Sequence, residues 1–335
     1  MNLFTKESDM SLISSFIALL KSDYPSFVSF DLVGKTLHIK TEEIKLLLNE
    51  ANVQGYPIQT EEDRCRLTLP LVNKESVAEN LLASAIGRSL EFFDRIDSTN
   101  TYALDNLQDL AHGSVILTDH QYRGKGRLGR SWHADLGKSV ALSIVLKPYI
   151  DSQQAVLLTQ LTAAALVKAL EPDWSASIKW PNDVLIDGRK VAGILVESHF
   201  SGSELTGIVI GTGINTNLSR EELPEDLKSK ATSLAIEKNN VIDPNLIITS
   251  FLSWFDTFYT AWSESMDASP FISVCREKSG LIGKEIAVHH DQTSKSARVI
   301  DISNEGELVI RYRDTNEIDH LNSLNFSVRG QSGYL

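Results

Sequence analysis

The stretch Val184-Leu185-Ile186-Asp187-Gly188-Arg189-Lys190-Val191-Ala192-Gly193-Ile194-Leu195-Val196-Glu197 sets two apolar runs, 184–186 and 191–197, at the spacing of a hairpin. A further strand candidate follows at 205–210, and two precede it at 114–118 and 140–146. Only two helical patterns lie among them, 99–107 and 155–170. Hairpin spacings outnumber strand–helix–strand units, so the centre of the chain reads as an α+β domain with a largely antiparallel or mixed sheet. A longer helix is expected over 243–266, with Asp243 as N-cap and Pro244 in the first helical position.

Working outward, residues 11–21 repeat Ile13, Phe16, Ile17, Leu19 and Leu20 at helical spacing, and helical patterns follow at 30–36 and 41–51. Gly55–Ile58 and Arg66–Leu69 then read as strands around an acidic turn, Gln59–Asp63. Three helices and a β-ribbon make the pattern of a winged helix-turn-helix over residues 1–72, with a small helical interaction domain as the alternative. Asn73-Lys74-Glu75-Ser76 reads as a linker. Toward the C-terminus, runs at 285–289, 297–302 and 308–312, with Asn304-Glu305-Gly306 as turn residues, point to a small β-barrel over 275–335. The central domain is assigned to 82–270.

At 335 residues the chain suits two or three domains, and its 42% hydrophobic and 23% charged residues are those of a globular protein. Cys65 and Cys275 lack metal-ligand spacing, and Lys6, Glu7 and Asp9 are not the basic head of a secretory signal. A cytoplasmic location is expected, with no membrane partner. The net charge of −12 confines any DNA contact to a local surface.

Chemistry concentrates in Gln121-Tyr122-Arg123-Gly124-Lys125-Gly126-Arg127-Leu128-Gly129-Arg130-Ser131-Trp132, where glycines alternate with cations. Glycine lets backbone approach an anion, and Lys and Arg supply charge-assisted bonds, so the loop points to phosphate handling; a solvated basic turn is the alternative. The pattern G-x-G-x-x-G is formally present, but no helix follows to hold a pyrophosphate. Lys179-Trp180-Pro181-Asn182-Asp183 is a compact polar set able to hold a metal-bound triphosphate, although lysines at strand ends are usually just solvated. Lys190 enters an apolar strand, where its charge needs an anionic partner. Asp97-Ser98-Thr99-Asn100 is either an N-cap or a hydrogen-bonding cluster for a neutral polar ring. Gly211-Thr212-Gly213-Ile214-Asn215 reads as a strand end and flexible turn, with Asn215 reading a purine edge or capping the turn.

These four segments, in this order, resemble the biotin protein ligase family, and the whole chain resembles its bifunctional bacterial members that also repress biotin synthesis genes. The resemblance implies an N-terminal winged helix-turn-helix, a mixed-sheet catalytic domain of the biotin/lipoate ligase type and a C-terminal barrel of the Src-homology type. It implies ATP and Mg2+ as cofactors, biotin as substrate, biotinyl-5'-AMP as intermediate and a biotin carboxyl carrier domain of acetyl-CoA carboxylase as acceptor. A homodimer and operator DNA are implied as further partners.

Residue by residue, Ser98, Thr99, Asn100 and Gln121 would surround the ureido ring. Lys125, Gly126 and Arg127 would close over biotin and the adenylate phosphate, and Lys190 would meet the biotin carboxylate. Gly124, Arg130, Trp132, Asn182 and Asn215 would serve the nucleotide, with Trp132 and Asn215 at the adenine. Lys179 and Asp183 would serve the ATP phosphates and magnesium. Lys190, Arg127, Lys179 and Asp183 form the implied catalytic set.

The chain departs from the family pattern twice. Gly124-Lys125-Gly126-Arg127 has Lys for the usual first Arg, which keeps charge and loses a bidentate fork. Residues 1–72 carry seven Lys or Arg against ten Asp or Glu, a poor electrostatic match to DNA. A lipoate ligase is the alternative enzyme; it is disfavoured because Ser98, Thr99, Asn100 and Gln121 suit a ureido ring better than a dithiolane. An adenylate-sensing DNA-binding regulator with little ligase role is the alternative of another class.

Overall fold

The computed structural model describes residues 11–147, 150, 154–290, 293–323 and 327–330. Lys6, Glu7 and Asp9, and the last residues of the expected C-terminal domain, lie outside them. The chain forms two compact units, Met1–Asn73 and Lys74–Leu335.

In the first unit, α1 (Leu12–Asp23), β1 (Val28–Ser29), α2 (Phe30–Leu37) and α3 (Thr41–Val53) precede a hairpin of β2 (Ile58–Glu61) and β3 (Arg64–Leu67). The helix starts follow local chemistry, with Ser11 and Ser29 accepting from the backbone N–H of Ser14 and Leu32. Phe16, Ile17, Leu20, Val33, Ile44 and Leu67 are fully buried among them. The acidic turn is tighter than expected: strand pairing runs Ile58↔Leu67 to Glu61↔Arg64, so Gln59, Thr60 and Glu61 belong to the ribbon.

The second unit begins in what reads as a linker, but Lys74–Asn80 is a helix, α4, seated by buried Val77. Its sheet is built from β4 (Leu90–Phe93), β5 (Val115–Thr118), β8 (Ser139–Leu146), β9 (Ala176–Lys179), β10 (Asp183–Ile186), β11 (Arg189–Ser201) and β12 (Glu204–Asn215), in the order β4-β5-β8-β12-β11-β10-β9. Only β4 and β5 pair in parallel, across helix α5 (Thr99–Asp105), so the sheet is mixed and mostly antiparallel. The expected turn at Gly211–Asn215 is strand: β12 runs through Asn215, paired to β8 on one side.

Between β5 and β8 a separate hairpin, β6 (Gln121–Lys125) and β7 (Ser131–Ala134), carries the basic loop. Helix α6 (Ala155–Leu170) is buried around nearly its whole circumference, between the sheet and helices α8 (Pro244–Ser265) and α9 (Ser269–Glu277); α7 (Leu234–Lys238) precedes them. Asp243 caps α8 with Pro244 in its first turn. Deep in α8, Asp256 takes four hydrogen bonds from the Ser84–Ile86 loop. No described helix is long and apolar enough to cross a membrane.

Among the described residues the C-terminal barrel is not formed. Strands β13 (Glu285–His290), β14 (Thr293–Ile302), β15 (Leu308–Tyr312), β16 (Ile318–Leu321) and β17 (Ser327–Gly330) make an open sheet of order β16-β15-β14-β13-β17. Closure requires the two edge strands to pair, and β16 and β17 do not. The period-two pattern is the same either way: it reports one buried face, here Ile286, Val288, Val299, Ile310 and Leu321, and not the fate of the edges. The sheet is tied to the rest of the unit by Trp180 Nε1 donating to Gly306 O at 3.0 Å and Arg276 Nε donating to Ile302 O at 2.7 Å.

Candidate functional site

On the α5 face of the sheet, register aligns three rows of residues. Ala141, Gly213 and Gly193 form one, Ser143, Gly211 and Leu195 the next, and Val145, Val209 and Glu197 the third. Glycine in a strand interior marks a close approach. A Cβ at Gly211 would lie 2.3 Å from Asn100 Oδ1, and one at Gly213 2.3 Å from Trp132 Cε2. The glycines are therefore a floor on which the Asn100 amide and the Trp132 indole rest.

Above this floor lies a cleft with about 460 Å³ of space, open to solvent at its mouth. At one end stand Ser98, Thr99, Asn100 and Gln121, all buried. Ser98 caps α5 by accepting from Thr101 N, so the capping reading holds for its hydroxyl. Thr99 N donates to Gln121 Oε1 at 2.9 Å. Ser143 Oγ lies 2.8 Å from Thr99 Oγ1 and 2.6 Å from Asn100 Oδ1, while Asn100 Nδ2 donates to Glu197 Oε2 at 2.7 Å. This end is polar and, apart from Glu197 behind it, neutral.

The other end is cationic. Lys190, at the start of β11, places Nζ 2.6 Å from Asp183 Oδ1 and 5.5 Å from the centre of the Trp132 ring. Asp183 is thus the anionic partner that an apolar strand demands of a partly buried lysine. Its neighbour Asn182 is locked by reciprocal bonds with Ile194, Nδ2 to O at 2.9 Å and N to O at 3.0 Å.

The basic loop folds into a tight tip, Gly126 N donating to Arg130 O at 2.7 Å, with Leu128 at φ 59°. Lys125, Gly126 and Arg127 line the cleft, whereas the Arg130 side chain is exposed. Gly124 is buried where a Cβ would lie 2.2 Å from both Gln121 Nε2 and Trp132 O, so close packing demands that glycine. Arg127 turns inward: Nη1 donates to Asn182 Oδ1 at 3.3 Å and Nη2 to Ser323 O at 2.5 Å. Burial lowers its pKa, and the nearby Asp183 carboxylate opposes that shift.

Of the residues expected at the nucleotide, Trp132 and Asn182 line the cleft, whereas Gly124, Arg130, Lys179 and Asn215 do not. Lys179 is buried in β9 opposite Asp183 in the ladder, and Asn215 spends its amide on Ser139 Oγ at 3.2 Å and Thr232 O at 3.0 Å. The structure also brings in residues that sequence reasoning passed over: Ser143, Glu197 and the glycine floor. Alternating glycines at 211 and 213 in an otherwise apolar strand were the available signal for the floor. No comparable signal marks Ser143 or Glu197, which reach the site through strand register.

Residues 92–215 match the family described as biotin/lipoate A/B protein ligase. The chain is 30% identical over 255 residues to the bifunctional ligase/repressor BirA of Bacillus subtilis (strain 168), an alignment covering 74% of this chain and 78% of that protein. It is 30% identical over 226 residues to the biotin–acetyl-CoA-carboxylase ligase of Paracoccus denitrificans, covering 65% of this chain and 92% of that one. Among solved structures, the biotin protein ligase from Aquifex aeolicus in complex with biotin and ATP superposes with TM-score 0.62 at 25% identity, over 73% of this chain and 100% of that chain.

Proposed function

We propose, since the chain belongs to the biotin/lipoate A/B protein ligase family, that it is an adenylate-forming ligase that joins biotin to a lysine of a biotin carboxyl carrier domain. The observation that carries this reading is the polarity of a single cleft: a neutral hydrogen-bonding end at Thr99 and Gln121, and a cationic end at Lys190 and Arg127. Biotin has the matching shape of charge, a ureido ring at one end and a carboxylate at the other. A dithiolane offers the polar Thr99 and Gln121 end of the cleft no hydrogen-bonding group, which disfavours lipoate.

In the first half-reaction a carboxylate oxygen attacks the α-phosphate of ATP and pyrophosphate leaves. Two anions must meet, so the chain's task is charge stabilisation, and no covalent enzyme intermediate is required. Lys190 screens the attacking carboxylate, and Arg127 and Lys125 hold the phosphate side. Trp132 walls the cleft between its two ends, consistent with stacking on the nucleotide. In the second half-reaction the acceptor amine attacks the acyl carbonyl, AMP leaves, and Asp183 is the nearest candidate to receive the amine proton.

Among the described residues there is no cluster of three His, Cys, Asp or Glu side chains to cage a metal. Asp183 beside Asn182 offers one carboxylate, the donor set of a magnesium ion that arrives on substrate phosphates. Asp183 Oδ1 is already paired with Lys190 and Asn182 Oδ1 with Arg127, so these residues would supply at most part of such an ion's donors, and the ion when bound would supply positive charge at the phosphates.

A second role, biotin-responsive repression through the first unit, is supported by the order of three helices and a ribbon. Its charge opposes tight binding to DNA. Glu42 and Glu43 are exposed at the start of α3, and Glu62 and Asp63 at the ribbon tip. Of the ribbon arginines, Arg64 pairs with Glu61 at 2.8 Å and Arg66 forks onto Gln59.

The deciding assay incubates the chain with radiolabelled biotin, ATP and a biotin carboxyl carrier domain, with lipoate in parallel. Labelling of the carrier that depends on ATP is expected; transfer of lipoate and not biotin would overturn the reading.

A further inference from the structure

We propose that Glu237, which does not line the cleft, is a positioning residue: its carboxylate closes a ring of bonds around the main chain of Lys190 and so fixes the root of that side chain, as Asp183 fixes its head. The inference rests on the reading of Lys190 as the carboxylate clamp and deepens it.

The ring matters because of where the sheet runs out. The β11–β12 ladder begins at Ala192, two residues after Lys190, so β12 gives the Lys190 main chain no partner. Both main-chain groups of Lys190 turn instead to a segment outside the strands: Lys190 N donates to Lys230 O at 2.8 Å, and Lys190 O accepts from Thr232 N at 2.9 Å. Only the isolated bridge Lys190↔Ala231 joins the two segments in this way. Residues 220–230 ahead of that bridge are exposed except at Leu223 and Lys228, so the segment brings little packing of its own. A main chain paired to a loop is only as firm as the loop.

Side chains supply the missing firmness. Thr232 O accepts from Asn215 Nδ2 at 3.0 Å, which ties the segment to the end of β12. Thr232 Oγ1 donates to Glu237 Oε1 in α7. The same carboxylate takes Arg189 Nη2, 3.0 Å from Oε1 and 3.2 Å from Oε2. Glu237 therefore holds both the residue before Lys190 in the chain and the residue that bonds to it from across the bridge. The Glu237 side chain is 12% exposed, so water and salt screen this pair much less than a surface one. Without it, Arg189 keeps the more distant Asp187 at 3.4 Å, whose side chain is exposed. Lys190 Nζ would still meet Asp183, but from a main chain free to shift beneath it.

The test is a double-mutant cycle on the full chain, read as pyrophosphate release that depends on biotin and ATP. Glu237→Ala in the parent should lower that rate about five- to tenfold, the scale of a reacting group moved by a fraction of an ångström. The same substitution in Lys190→Ala should lower it by less than about twofold, because the side chain it positions is gone. Thermal melting supplies the contrast: the Tm loss from Glu237→Ala should be equal in both backgrounds, since the stability of the ring does not need the Lys190 side chain.

Should Glu237→Ala fail to fold, Thr232→Val opens the ring at its other side with a side chain of similar shape and should give the same cycle. Equal fold losses in rate in the two backgrounds overturn the inference and leave the clamp standing, as does a parent-like rate in folded Glu237→Ala or Thr232→Val. A folded Lys190→Ala at the parent rate, or a parent chain that forms no adenylate from biotin, removes the clamp reading and the inference with it.

Discussion

Lys190 Nζ and Asp183 Oδ1 stand 2.6 Å apart across the β10–β11 hairpin, joining the two segments of the sequence that carry most of the candidate catalytic groups. The pair holds a partly buried ammonium in place before any anion arrives. A substrate carboxylate entering the cleft would find that ammonium already oriented.

Replacing Lys190 by Ala should therefore cost at least about tenfold in adenylate formation, about 1.4 kcal/mol of transition-state stabilisation, with the fold intact. Pyrophosphate release at near-normal rate by a folded Lys190→Ala chain would take Lys190 out of the mechanism.

Arg127 reaches from the basic loop to Asn182 and to Ser323 of the C-terminal sheet. Arg127→Gly should loosen that closure, so that adenylate escapes and labels lysines on bystander proteins. Adenylate dissociation rates and the spread of label measure this together; a slow parent-like release with label confined to the carrier domain contradicts it.

Gly213→Ala would drive a methyl group into the Trp132 indole, which must then shift off the floor. Affinity for the adenylate should fall while folding holds, a change read by titration alongside thermal melting. Unchanged affinity would show that the indole position is irrelevant to binding.

Burial pushes the Asp256 carboxyl up, but hydrogen bonds from Ser84, Ala85 and Ile86 outweigh it and leave the pKa below the ordinary value of 3.8. A depressed folded pKa gives stability that is present above the unfolded pKa and is lost as pH falls through the folded one. Asp256→Asn should destabilise the second unit by about 3 kcal/mol at neutral pH. The Tm gap between parent and variant should narrow as pH falls below 3.8 and through the depressed folded pKa, where the parent carboxylate becomes protonated; a constant gap would exclude the charged form as its source.

For the first unit, a salt titration of binding to DNA upstream of the biotin synthesis genes of the same genome, with biotin and ATP present, should show weak binding indifferent to sequence. Tight, selective binding with a steep salt slope would refute the charge argument and establish repression.

How far the residues alone carry this protein is visible in particular elements. Helix α6 was legible to its ends, Ala155 and Leu170, because an apolar run of that length is too long for a strand and too short to span a bilayer. The helix cap at Asp243-Pro244 was legible for a local reason too, since capping is decided by neighbouring residues. The open C-terminal sheet was not, because alternation along a strand is silent about whether distant edges meet. Nor was the extension of β12 through Gly213, where turn-forming glycines are instead the room that Asn100 and Trp132 occupy.

By itself, then, the sequence determined the local periods, the helix starts, and the gathering of cations and glycines into one loop, all set by residues within a few positions of one another. Tertiary structure alone decided which groups face each other: Asp183 against Lys190, Arg127 against Asn182 and Ser323, and Glu197 behind Asn100. Those pairings depend on strand register, and a one-residue slip in β11 would send Glu197 to the opposite face of the sheet.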